Sequence, residues 1–468
     1  MFSEGTDIVE VNQVIMLRPT QSPIVFVQQL GRGLRKSEGK EYVVVLDFIG
    51  NYKNNYMIPI ALSGDRSYNK DNVRRYLVEG NRIIPGASTV HFDEISRKRI
   101  FESIDSANFS EIKLLRENYQ NLKDKLGRIP KLSDFDDYGE MDVFRIIDNS
   151  NLGSYYKFLE KYEDDYSIRL SDEEQIIIKL VSKKFAPGKR VHELLLLKRI
   201  LMYSRGLQKA GLIEGMKADL TNRYNITLDE LAQENVINVM TNEFATGSAK
   251  ITYKDCVFIE KDNSRDGNYI TSKRLSKMLL NDDFYNMLCE LVDFGINRYE
   301  KYYASRYKDT DLVLYRKYTY EDACRLLRWE HEVVSQNIGG YKYDSKTKTF
   351  PVFINYEKAA DISDSIKYED HFDSNDRLKA ISKSGRKPSS KEVQTFLKSE
   401  ELGINVELFV RKNKDDKISK EFYYLGRMHP TGETESFTMP NTNKSAVKIG
   451  WILDEPVRED IYEYIVNG

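Results

Sequence analysis

The sequence predicts a multidomain α+β chain: a short parallel α/β unit, a long helical middle region and a mainly-β, barrel-like C-terminal domain. Three observations predict it. Two apolar runs, Val14-Ile15-Met16-Leu17 and Tyr42 to Phe48, flank a segment of helical character, which is the order of a parallel strand-helix-strand unit. Between about residues 106 and 308 apolar residues recur near the helical period, as in Ile112, Leu115, Tyr119, Leu122 and Leu126. Beyond residue 309 short β-rich runs alternate with turns.

Composition sets the bounds. A chain of 468 residues corresponds to two to four domains, at roughly 100–200 residues each. With 40% hydrophobic and 31% charged residues, cores can form under a well-solvated surface. The net charge of −2 excludes a global basic field, so any nucleic-acid contact must come from local patches. Cys256, Cys289 and Cys324 are far apart and lack metal-type spacing, which suits a reducing cytoplasm and small buried side chains. No apolar run approaches the roughly 20 residues of a membrane span, and no secretory signal opens the chain. The expected location is therefore cytoplasmic, without membrane contact.

Residues 1–52 hold the N-terminal unit. A helix from Ser22 to Leu30 is expected to run into an arginine-bearing loop, and Gln28-Gln29-Leu30-Gly31-Arg32-Gly33-Leu34-Arg35 carries the spacing Q-x-x-G-R-x-x-R. Planar, permanently charged guanidinium groups suit charge developing on a transferring phosphoryl group. The plainer reading is a surface loop whose arginines make ordinary ion pairs. The segment resembles motif VI of the superfamily 2 helicases, the DEAD/DEAH and restriction-type ATPases. Phe2-Ser3-Glu4-Gly5-Thr6-Asp7-Ile8-Val9 resembles motif V, its G-x-D element.

The resemblance implies a truncated second RecA-like lobe. In it Arg32 and Arg35 would contact a γ-phosphate as arginine fingers, and Gln28 and Gly31 would line the nucleotide site. Gly5 and Asp7 would couple nucleotide state to the nucleic-acid strand. No G-x-x-x-x-G-K-[ST] and no DEAD or DEAH tetrapeptide occurs in these residues. ATP and Mg are thus expected only with a first lobe supplied from elsewhere. The expectation is the C-terminal part of a larger helicase, without hydrolase activity of its own; the alternative is a stand-alone DNA-binding module with a vestigial helicase remnant.

Residues 53–185 read as a helical connector. A helix is expected around Asp71–Leu77, a turn at Ile83–Gly86 and a short strand at Ser88–Phe92. Another helix, Glu111 to Gly127, is stopped by Gly127-Arg128-Ile129-Pro130. The L-G-R-I-P-x-x-x-D-F pattern there resembles small helical modules appended to helicases, and fits a plain connector equally well.

Residues 186–308 are expected to give a helix over Val191–Tyr203, further helices near 206–216 and 227–234, a hairpin of Ala249–Ile259 with Tyr269–Thr271, and one long helix from Lys273 to Tyr307. Helices followed by a hairpin is the order of a winged-helix domain, which is compatible with DNA contact. Basic and tyrosine residues between Arg298 and Lys308 either hold a single strand or pack on neighbouring structure, and packing is the plainer reading.

Residues 309–468 are expected to hold strands at Leu312–Tyr315, Phe350–Asn355, Asn405–Arg411, Phe422–Gly426 and Val447–Leu453. Helices are expected to be capped by Thr319 and by a Ser389/Glu392 capping box. From Trp329 onward this region resembles the uncharacterised C-terminal domain of bacterial helicases that carry an N-terminal phospholipase-D-type nuclease. That resemblance implies a restriction or phage-defence setting, with DNA, a separate helicase lobe and a nuclease domain as partners. Ser335, Gln336, Asn337, Lys383 and Arg386 have the chemistry to meet phosphates and base edges. Trp329, Tyr341 and Tyr356 would stack on an extruded base; alternatively Trp329 is core and its loop a hairpin tip. In Glu330-His331-Glu332 adjacent residues point in different directions on a strand or a helix and rarely bind one ion, so no metal site is expected.

Overall fold

The structure is a computed structural model that describes residues 10–17, 23–35, 37–48, 55–65, 68–83, 89–107, 109, 111–138, 141–206, 211–263, 268–338, 340–357, 370–413, 420–439 and 443–467. Two compact units emerge. One comprises Met1–Pro130, Phe135–Asp142 and Arg458–Gly468; the other comprises Lys131–Asp134 and Val143–Val457. Among the described residues no helix is long and apolar enough to cross a membrane.

In the first unit β1 (Gln13–Met16) pairs in parallel with β2 (Val44–Asp47), and α1 (Pro23–Gly33) connects them. Val14 lies opposite Val45, and Ile15 opposite Leu46. Side chains alternate across a strand, so Val14 faces α1 while Ile15 and Leu46 face away. Gly33 makes the close approach work: a Cβ there would sit 2.5 Å from Val14 Cγ2. The helix runs past Leu30 to Gly33, so the arginine-bearing segment is helical rather than a loop. Leu30 to Gly33 lacks a helix breaker other than its glycines, and α1 stays packed on the sheet to its last turn.

Next come α2 (Met57–Ser63), which packs on α1, and α3 (Lys70–Ile83), α4 (Glu94–Ser106), α5 (Ile112–Leu126) and α6 (Leu132–Tyr138). The turn expected at Ile83–Gly86 falls mostly outside the described residues. No strand forms over residues 89–92. Asp93 instead caps α4, its side chain accepting from Ser96 N at 3.0 Å. Helix α5 stops at the expected place, and Gly127, at φ +66°, ends it in a left-handed turn.

The second unit begins with α7 (Phe144–Ile147), α8 (Tyr155–Tyr162), α9 (Asp172–Lys184), α10 (His192–Ser204), α11 (Leu212–Tyr224), α12 (Glu230–Met240) and α13 (Gly247–Thr252). A hairpin of β3 (Ile259–Lys261) and β4 (Tyr269–Thr271) follows. Helix α13 takes the place of the first half of the expected strand. The long helix expected from Lys273 is two: α14 (Lys273–Met278) and α15 (Asp282–Tyr302). The break falls at Asn281, whose side chain accepts from Asp283 N at 3.1 Å and so starts α15 afresh.

The C-terminal part has β5 (Lys317–Tyr318), α16 (Tyr320–Leu326), α17 (Ser335–Ile338), β6 (Thr349–Glu357), β7 (His371–Ser374), β8 (Arg377–Ile381), α18 (Lys391–Leu397), β9 (Asn405–Asn413), β10 (Phe422–Thr438) and β11 (Ser445–Leu453). The sheet runs β6-β9-β10-β11-β8-β7, with β5 also on β10, and curls into a half-barrel. All pairs are antiparallel except β6 with β9. Leu312–Tyr315 is not a strand, because Tyr315 takes φ +66° and Val313 N donates to the Tyr318 hydroxyl. Thr319 and Asp322 form the capping box of α16. The second box expected does not form: Ser390 precedes α18, and Glu392 accepts from Arg386 Nε at 2.5 Å instead. The last helix, α19 (Glu459–Val466), belongs to the first unit and packs on α3; the Arg74 guanidinium lies 4.1 Å from the Tyr464 ring centre.

Candidate functional site

Two places gather residues singled out by their chemistry. The first is the outer face of α1. Gln28, Gly31 and Arg35 are exposed, with Val27 and Leu34 beside them, while Phe26 and Gly33 are buried. Positions 28, 31, 32 and 35 recur at helical spacing and share one stripe. The Arg32 side chain, and Gly5 and Asp7, lie outside the described residues. Sequence reading missed Lys40, whose ammonium group donates to Gly33 O at 2.9 Å and Arg35 O at 2.7 Å. A cation there satisfies carbonyls at the end of α1 and fixes the backbone that carries Arg35. On the side of the two-stranded sheet away from α1 an apolar face is open: Ile15 is 54% and Leu46 45% exposed.

The second place is the C-terminal half-barrel. Lys383 and Arg386 lie beside Tyr341 and Glu392. Lys383 N donates to the Tyr341 hydroxyl at 2.9 Å, and its ammonium group donates to Tyr341 O at 2.8 Å while lying 4.4 Å from the ring centre. Burial pushes the Lys383 pKa down, and Arg386 and Lys342 add to that against Glu392. Asn337 is exposed on α17, which leads into Tyr341; the Ser335 and Gln336 side chains lie outside the described residues.

Trp329 is not on this surface. It is 2% exposed, packed with Tyr318, Phe409 and Phe422, and its indole N–H donates to Thr349 Oγ1 at 2.8 Å. The indole is thus a core side chain with its one donor satisfied, which corrects the stacking role given to it. Tyr341 is buried against Phe350 and Phe396, and Tyr356 packs on Phe372. Trp329 and Tyr341 offer no free ring face for a base, and Tyr356 is half-buried.

The most heavily charged cluster is interior. Arg190 Nη1 donates to Asn235 Oδ1 at 2.7 Å and Arg325 O at 2.9 Å, and the guanidinium pairs with Glu193. Lys189 reaches Asp322 and Glu421, each at 2.7 Å. Burial opposes ionisation of Glu193, but Arg190 and Arg325 outweigh it and hold the carboxyl at about 2. Burial also pushes His192 down to about 4, so the ring is neutral at pH 7. Apart from Glu421, whose side chain is 34% exposed, these groups are buried or nearly so, and they tie α10 and α12 to α16 with the His192 ring among them. In the basic-aromatic stretch from Arg298 to Lys308, Tyr299 and Tyr307 are buried. Arg298 lies over the Phe144 and Tyr302 rings, and Lys308 pairs with Asp454. Among the described residues no group of three or more His, Cys, Asp or Glu is arranged to hold a metal ion.

Comparison with known proteins adds four findings. Residues 312–465 match a family described as a domain of unknown function (DUF3427), and residues 115–304 match another of the same description (DUF8090). A stretch of 67 residues is 36% identical to "Putative ATP-dependent helicase IRC3" of Saccharomyces cerevisiae, covering 14% of this chain and 10% of that protein. The chain thus spans about a tenth of the length of this curated relative. Among solved structures, "DNA modification-dependent restriction endonuclease AspBHI" aligns with 32% of this chain and 79% of its own, at 13% identity and a TM-score of 0.21.

Proposed function

We propose that the chain is a helicase-associated component acting on DNA, in which α1 presents Arg32 and Arg35 to a nucleotide held by another polypeptide segment. The observation that carries this reading is the exposed stripe of Gln28, Gly31 and Arg35 on a helix fixed between two parallel strands. A rigid helix is a better platform for a guanidinium than a free loop, because less ordering is left to the moment of phosphoryl transfer. The stretch shared with a putative ATP-dependent helicase points the same way. Lys40 would hold the end of the stripe, and the C-terminal half-barrel would contact the DNA. The setting we propose is a restriction or defence system, with motif V residues Gly5 and Asp7 in the roles the resemblance implies.

The residues present suit one part of a nucleotide site only. They offer guanidinium groups and a carboxamide for phosphate oxygens, with no P-loop motif and no DEAD or DEAH tetrapeptide in these residues. ATP and Mg would therefore be held by another polypeptide segment, and these residues would supply charge for the γ-phosphate. Mixing the chain with a first lobe that carries those groups should give DNA-stimulated hydrolysis. The same assay on Arg35→Ala and Arg32→Ala should show a loss on the order of 10³-fold or more. Hydrolysis indifferent to both substitutions would refute the reading.

One observation favours a second reading, a stand-alone DNA-binding module: the Lys383–Tyr341–Arg386 group lies wholly in the second unit and needs nothing from α1.

A further inference from the structure

Three segments distant in sequence meet where β8 leaves the half-barrel and β11 enters it. Tyr341 receives Lys383, and Gly385 N donates to Ser445 O at 2.7 Å. Residues 341–343, 382–391 and 443–445 thereby bring together Lys342, Lys383, Arg386, Lys387, Lys391 and Lys444, with no acid among them. The neighbouring carboxylates are engaged: Glu392 pairs with Arg386, Asp370 accepts from Ile381 N at 2.7 Å, and Asp344 accepts from Thr347 N at 2.8 Å. The side chains of Lys342, Lys387 and Lys444 are exposed and make no ion pair among the described residues. Several surface cations elsewhere are held by acids: Lys346 by Glu234 and Glu330, Arg328 by Asp229, Lys198 by Asp293. In a molecule of net charge −2, an acid-free group of this size is a local reversal of the field.

We propose that this group is a binding site for the phosphate backbone of duplex DNA, reading neither base identity nor base modification. It rests on the DNA reading above but owes nothing to α1. The ring geometry selects the ligand. A single-strand site needs a row of open aromatic faces on which bases stack. Here Tyr341 is covered by Lys383, Phe350 and Phe396, and Tyr343 is the one ring of the group with substantial exposure, at 36%. Base extrusion likewise needs a sandwich of rings, and Trp329 lies in the core. What the surface does offer is ammonium and guanidinium groups set on a sheet margin, the chemistry of phosphate contacts that position a duplex.

The test is fluorescence anisotropy of the full chain with a labelled duplex across a salt series. Four or five phosphates neutralised give a slope of log affinity against log salt of about −4. Lys342→Ala, Lys387→Ala and Lys444→Ala should each reduce that slope by about 1 and weaken all sequences alike. Lys346→Ala, a cation already paired elsewhere, should leave binding unchanged. A triple variant at 342, 387 and 444 with wild-type affinity and slope would overturn the proposal. So would preference for single-stranded DNA, RNA or anionic vesicles over the duplex, or discrimination between modified and unmodified duplexes. If Arg35-independent hydrolysis is found while salt-dependent duplex binding persists, the helicase reading fails and this one stands. The converse pair of results sinks only this one.

Discussion

At the scale of single residues, burial separates charges that hold the fold from charges free to act. Glu407 is fully buried on β9, bonded to the Tyr424 hydroxyl at 2.5 Å and Arg427 Nε at 2.8 Å. Burial raises its pKa, with Arg427 and the Tyr424 hydrogen bond opposing. Arg427→Ala strands that carboxylate, and a cost of about 3–5 kcal/mol is expected by urea denaturation. Lys387→Ala, at an exposed position, should stay within about 0.5 kcal/mol. His192 gives a pH dependence. Its folded pKa of about 4 lies below the ordinary 6.5, so the unfolded chain takes up the proton first. Stability should be full above pH 6.5 and fall as pH drops toward 4, by roughly 3 kcal/mol from this group. Glu193, held at about 2, adds a loss at lower pH, below the ordinary carboxylate range. Denaturation midpoints at pH 7.5 and 4.5 check the sign, and His192→Gln should flatten the slope. Arg35, Lys383 and Arg386 could be named from the sequence because residue type alone suggests phosphate chemistry. Lys342, Lys444 and Lys40 could not, since their roles depend on partners that no local spacing announces. Trp329 misled for the opposite reason: a tryptophan beside a polar loop looks exposed until the sheet that covers it is built.

At the scale of elements, local cap signals were legible in part. Thr319 was read as a cap and with Asp322 forms the capping box of α16, whereas the box read at Ser389 and Glu392 does not form and the one at Ser171 and Glu174 on α9 went unread. Thr319→Ala should cost about 1 kcal/mol in thermal or chemical unfolding. The missed strands β7 and β8 are short, and their alternation of Phe372, Leu378 and Ala380 with charged residues spans too few positions to stand out. The extent of β10 was hidden because its second half, from Thr431, is polar and exposed. It is held by β11, from Thr434↔Ile449 to Thr438↔Ser445, rather than by its own hydrophobicity. Gly188 shows how an element junction constrains a residue. It takes φ +74°, and a Cβ would sit 2.6 Å from Tyr299 N and 2.7 Å from Gly295 O, both backbone atoms of α15. Neither can yield as a side chain does. Gly188→Ala should therefore lose about 3 kcal/mol or more, combining a left-handed conformation with a clash.

At the scale of the whole molecule, the regions 115–304 and 312–465 share one buried ionic network. Arg190 bonds Arg325 O, Asn235 Nδ2 bonds Trp329 O at 2.5 Å, and Lys189 bridges Asp322 and Glu421. Separating the two regions would expose an unpaired buried cation on one piece and an unpaired carboxylate on the other. Neither piece alone should show a cooperative unfolding transition, whereas residues 143–457 together should; calorimetry of the three constructions checks this. The order of helical and β-rich regions followed from pattern alone. That α19 returns to the first unit did not, because its partner α3 is far upstream in the sequence. The central claim concerns α1. The most direct measurement is ATP hydrolysis, with and without duplex DNA, by this chain combined with a lobe bearing a P-loop lysine and a carboxylate pair. The account predicts DNA-stimulated hydrolysis in the mixture alone, falling on the order of 10³-fold in Arg35→Ala. Hydrolysis by the chain unaided, or a mixture that hydrolyses equally well without Arg35, would contradict it.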